Sequence, residues 1–166
     1  MRYTLLFMFL TNLIFGQNTD MKSELIKRFD NATKYTIQVL DKMPAELLAF
    51  KPNKNVRTFA EIFQHIGEAQ LYTASQGVEV RQIKFQGDLN SKKELKEFLK
   101  QSNHLLLHAM EKLSNEDLQE SVRFWDGQSS IFKILNFTLD HVTHHPGQAN
   151  VYLRLNTIRP PDYIGW

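Results

Sequence analysis

The stretch Ile131–Leu153, IFKILNFTLDHVTHHPGQANVYL, decides the fold. Ile131, Ile134, Leu135, Val142, Ala149, Tyr152 and Leu153, with Thr138 among them, recur at three- and four-residue intervals. That is the period of one helix face, and strands do not produce it. Ser129 is the expected N-cap, and Arg159-Pro160-Pro161 stops the helix. Working upstream, Leu95, Phe98, Leu99, Leu105, Leu106, Ala109 and Leu113 form a second stripe behind a capping-box pattern at Ser91 and Glu94. Phe59, Ile62, Phe63, Ile66, Ala69 and Ala74 form a third, opened by Thr58 with Glu61. Met21, Leu25, Phe29, Ala32, Thr36, Val39, Leu40 and Met43 form the fourth, ended by Pro44.

Four amphipathic helices joined by connections of unequal length predict an all-α four-helix bundle. A three-helix core with a loose helix, or an α+β domain using residues 78–86, would also accommodate parts of the pattern. Val78-Glu79-Val80-Arg81 alternates like a strand but is short, so residues 78–90 read as a loop with extended character. Residues 51–55 and 114–128 read as connections.

The chain has 166 residues, 42% hydrophobic and 23% charged, which suits one packed domain. Its 20 basic and 18 acidic residues leave +2, without the basic surplus of a nucleic-acid binder. The absence of cysteine removes disulfides, thiolate nucleophiles, iron–sulfur clusters and cysteine-held zinc. Neither a glycine-rich phosphate loop nor a Gly-x-Ser-x-Gly elbow is present. Chemistry therefore rests on histidines, carboxylates, hydroxyls or amides.

The first residues read separately. A single Arg2 precedes an apolar run from Leu5 to Phe15, which is too short for a ~30 Å hydrocarbon core. It has the length of a secretory core segment, with Gly16 at the cleavage edge; a buried first helix is the alternative. The expected organisation is a signal peptide over residues 1–16 and a domain over 17–166. The mature chain would then be exported, periplasmic or secreted, with no membrane anchor.

Two histidine pairs have i, i+4 spacing, His104/His108 and His141/His145, which puts two imidazoles on one helix face. At ~100° per residue, His104 and His108 lie roughly 140–180° from their apolar stripe and face solvent. His145 falls inside its stripe and His141 at its edge, about 40° apart, with Gln148 on the same flank and His144 turned outward. Each inward ring needs partners for both nitrogens. One metal ion would satisfy both lone pairs, and ordinary core hydrogen bonds are the alternative. His65, at the edge of the second helix, is the candidate third ligand, and otherwise a half-exposed helix residue. Three histidines with an open position form the catalytic rather than the structural pattern.

His141-Val-Thr-His144-His145-Pro146-Gly147-Gln148, with Val151–Asn156 and Pro160-Pro161 behind it, resembles the C-terminal signature of the DinB/YfiT-like superfamily. Arg57–Ile66 resembles that family's second helix. The resemblance implies an up-down-down-up bundle and a divalent metal, zinc or nickel, on His65, His141 and His145. Many relatives have no assigned reaction, and some are thiol-cofactor-dependent transferases or isomerases. Export would disfavour a cytoplasmic thiol cofactor. Pro146 stands where relatives often have Arg, and it is expected to loosen the helix beside the site.

The leading functional expectation is a metal-dependent hydrolase or transferase acting on a small molecule. Gln148 would orient a ligand or solvent, or else bond between helices. Glu68 is the nearest carboxylate in sequence that could serve as a base, or else a solvated helix residue. The alternative is a non-catalytic metal-binding or interaction bundle in the cell envelope. No nucleic-acid partner is expected, and a homodimer is compatible with either reading.

Overall fold

The computed structural model describes residues 20–125 and 127–164; the segment read as a signal peptide lies outside them. Among the described residues four α-helices form, at the places their stripes require: α1 (Met21–Lys42), α2 (Phe59–Ala74), α3 (Lys92–Glu111) and α4 (Ile131–Leu155). Their inward faces make one core, in which Phe29, Phe59, Phe63, Leu106, Met110 and Leu135 are fully buried. Among the described residues, no helix is long and apolar enough to cross a membrane.

Cross-helix hydrogen bonds set the helix directions. Lys22 at the start of α1 donates to the carbonyl of Leu113 just past α3, and Lys96 near the start of α3 pairs with Asp41 near the end of α1. Those two helices are antiparallel. Arg28 reaches Asn136, and Tyr35 seven residues on meets Asn150, so α1 and α4 run parallel. Tyr152 near the end of α4 donates to the carbonyl of Arg57 before α2, which makes α2 antiparallel to α4. The order is up-down-down-up. Both α1 and α2 pack on α3 and α4, while α1 and α2 face each other diagonally.

Because α2 and α3 run parallel, residues 75–91 must cross the full bundle. Glu68 on α2 ties this crossover down, accepting from the Phe85 amide at 3.2 Å and pairing with Lys84 at 3.0 Å. Phe85 in turn packs on Phe98 of α3, with ring centroids 5.3 Å apart. A β-carbon at Gly67 would meet the Phe98 ring at 2.5 Å, so any larger residue there would have to displace that ring from the α2–α3 contact. The crossover contains no strand, and the α+β alternative at residues 78–86 falls away.

Three local readings are corrected. The connection before α4 holds a β-hairpin, β1 (Ser121–Phe124) with β2 (Gly127–Ser130), in register Ser121↔Ser130 to Phe124↔Gly127. Its end moves the cap by one residue: Ser130, not Ser129, accepts from the Lys133 amide. The Thr58/Glu61 capping box is complete, but Ser91/Glu94 is only half formed. There the Glu94 carboxylate turns away from the cap and takes the Asp88 amide of the crossover.

Candidate metal centre

The centre sits where α2 and α4 pack against each other. The structure brings His65, His141 and His145 together, one ring nitrogen of each lying within 4.8 Å of the others. His145 is 7% exposed, and His65 and His141 are half-buried. The His65 ring lies edge-on to both rings of α4, with centroids 5.0 Å from His141 and 4.7 Å from His145. The pair on α4 converges through its Nε2 atoms, 3.0 Å apart.

Hydrogen bonding fixes the protonation of His145. The carbonyl oxygen of Gln148 can only accept, so Nδ1 of His145 donates to it across 2.8 Å. The neutral ring then carries its lone pair on Nε2, the atom that faces the other histidines. The amide of Gln148 is oriented from its far side as well, because its nitrogen donates to Nε2 of His144 at 2.7 Å. His144 itself is exposed. The Nδ1 atom of His141, by contrast, is buried and has no hydrogen-bond partner.

The donor set fits a divalent ion. Two nitrogens at 2.0–2.1 Å from one tetrahedral ion lie about 3.4 Å apart, close to the separation the α4 pair already has. Electrostatics favour the neutral, ligating form. Burial first, then the Arg57 charge and His145, lowers His65 from 6.5 to about 4. Burial, then His145 and His65, lowers His141 to about 4. Burial also lowers His145, against the opposing effect of the Gln148 hydrogen bond.

Proline 146 does not break the frame. Helix α4 is continuous from Ile131 to Leu155, with Pro146 buried inside it. The bond Pro146 cannot make is the one to the carbonyl of Val142, and the helix continues through that gap. Glu68 is engaged by the crossover and by Gln64, and from the same groove wall its charge still acts on His65. His104 and His108 are exposed, stacked on each other with centroids 6.3 Å apart and no third histidine beside them.

An open groove of about 980 Å³ runs from the centre along α2 and the end of α4. His65, Gln148 and Tyr152 line one part of it, and Lys51, Lys54 and Arg57 another. Sequence reasoning missed this second wall, because the loop that carries it has no periodicity to read.

An up-down-down-up bundle with histidines converging from its second and fourth helices defines the class. The chain belongs to the DinB family, whose match spans residues 12–163. Among solved structures, a DinB-like protein from Bacillus cereus is similar at TM-score 0.70 and 19% identity, over 84% of this chain and 95% of that one. A DinB-like protein from Bacillus subtilis is similar at TM-score 0.69 and 20% identity, over 85% and 97%. At that identity the likeness concerns the fold. No curated protein matches the chain.

Proposed function

We propose that the protein is a divalent-metal-dependent enzyme, a hydrolase or transferase acting on a small molecule, with His65, His141 and His145 as the ligands. The observation that carries this reading is the convergence of three ring nitrogens, one of them from His65, which lines an open groove. Zinc or nickel suits imidazole donors. When bound, such an ion would supply Lewis acidity toward a water or a substrate nucleophile. His65 and His141 are kept neutral by burial, so neither must lose a proton to ligate at neutral pH. Gln148 holds His145 in the tautomer whose Nε2 lone pair faces the other histidines. The groove supplies room for a small molecule, within the usual range for such sites.

Export of the chain after removal of residues 1–16 belongs to the same proposal. Intact-mass measurement on protein from its native host should find a mature form starting near Gln17, and a full-length cytoplasmic chain would remove it. For the centre, the test is metal analysis of the purified parent beside His65→Ala and His145→Ala. About one equivalent of a divalent first-row metal is expected in the parent and little in either variant. Equal metal in all three proteins would end the assignment.

A further inference from the structure

The cationic wall of the groove has a use of its own. Five charged side chains line the groove between residues 51 and 68, and the two signs behave differently. Glu61 is occupied by the cap of α2, accepting from the Thr58 amide at 2.6 Å. Glu68 is occupied by Lys84 and the crossover. Lys51, Lys54 and Arg57 form no ion pair among the described residues. Both carboxylates have hydrogen-bond partners inside the protein, and Glu61 also feels the charges of Lys51 and Arg57, but the three cations outnumber them along the groove and make no ion pair of their own.

The loop that presents them is pinned at its base. Phe59 donates to the carbonyl of Phe50 at 2.8 Å, and Ala60 to that of Leu48 at 2.9 Å. The phenol of Tyr152 holds the carbonyl of Arg57 at 3.0 Å. These bonds, with the capping box, also occupy the first amides of α2. The helix end is therefore closed to ligands, and recognition at this wall falls to side chains. Arg57 is near enough to the histidines for its charge to act on all three.

We propose that this wall binds the carboxylate or phosphoryl group of a small-molecule substrate, with Arg57 as its principal anchor and Lys51 and Lys54 as supporting charges. This rests on the reading of the histidine centre as an enzyme site, which it deepens by naming the substrate class. A guanidinium offers a paired-donor fork that fits either oxyanion, whereas the lysines act as point charges. A ligand held there would extend along the groove toward His65, so that its anionic group and its reacting group occupy opposite ends.

The test is an NMR titration of the metal-loaded chain with inorganic phosphate and, separately, acetate, at constant ionic strength to fix screening. At least one probe should bind the parent in the millimolar range. Arg57→Gln should weaken that binding roughly tenfold, and Arg57→Lys should weaken it less. Preference between the probes assigns the phosphoryl or the carboxylate class. No binding of either probe at about 10 mM, or equal binding by parent and Arg57→Gln, overturns the proposal. His145→Ala separates the two readings. If metal analysis fails while anion binding still depends on Arg57, the metal reading falls and the anion wall stands. Anion binding abolished by His145→Ala but indifferent to Arg57→Gln assigns the anion to the histidines and overturns the wall.

Discussion

Helices α3 and α4 each carry a histidine pair at i, i+4 spacing, and only the α4 pair meets a third histidine. His104 and His108 stack in solvent, with Glu111 3.6 Å from the His108 ring. His141 and His145 turn their Nε2 atoms toward each other beneath a third ring from α2. The spacing is identical, so spacing is not what distinguishes them. What differs is the angle to the apolar stripe, which decides whether a ring meets water or another helix. A ring that meets water spends its nitrogens on water and loses little. A ring driven against a neighbouring helix must find partners there, and three such rings can share one ion.

The largest expected effect breaks the α4 side of that comparison. His145→Ala should abolish stoichiometric metal binding, and His65→Ala should do the same from the other helix; both are read by elemental analysis after dialysis. Next comes Gln148→Leu, which removes the acceptor that fixes the His145 tautomer. Metal affinity should fall roughly 10–100-fold while the fold persists, measured by competition with a chelator of known affinity. An unchanged affinity would mean that the Gln148 contact is incidental.

Acid should sharpen the contrast further. In metal-free protein, His65 and His141 titrate near 4 when folded, against 6.5 in an unfolded chain. Between those values the unfolded chain binds more protons, so stability falls as pH drops through that window and levels off below about 4. Above about 6.5 both forms are neutral and the two rings contribute no pH dependence. With metal present the loss should be steeper, since protons also compete for the ligand nitrogens. Melting curves across that window, with and without chelator, measure both slopes. Coincident curves at neutral pH would show that no ion is bound. The smallest effect is expected from the double variant His104→Ala/His108→Ala: unchanged metal content and a stability change within about 0.5 kcal/mol. Loss of metal in that variant would mean that α3 contributes to the centre.

The sequence made the helices legible because a 3.6-residue period survives over four or more turns. The inward turn of His145 and the outward turn of His104 followed from the same arithmetic. The third histidine was less accessible: His65 lay at the edge of its stripe, where position offered it equally as a third ligand and as a half-exposed helix residue, and the family resemblance added weight to the first. The hairpin escaped notice because each strand has four residues, too few for alternation to stand out, although Asp126-Gly127 beside Val122 and Phe124 was a usable turn signal. Glu68 could not be placed from sequence, since its partners Lys84 and Phe85 lie on an aperiodic crossover. The loop carrying Lys51, Lys54 and Arg57 was opaque for the same reason.

The helix order constrains how this chain reaches its native state. Among the described residues, no two of these helices consecutive in sequence form an antiparallel hairpin: α1 and α2 are diagonal, α2 and α3 are parallel, and α4 packs chiefly on α1 and α2. The favourable burial between α1 and α4 joins residues more than a hundred positions apart, as the Arg28–Asn136 and Tyr35–Asn150 bonds do. Loop-closure entropy must be overcome before that burial is realised, so relative contact order is high for an all-helical protein. Refolding should be slower than for an up-down-up-down bundle of the same length. A fragment ending before α4 would leave apolar faces of both α1 and α2 uncovered, and it should not fold alone. During synthesis, the faces of α1 and α2 that pack on α4 should stay uncovered until α4 has emerged.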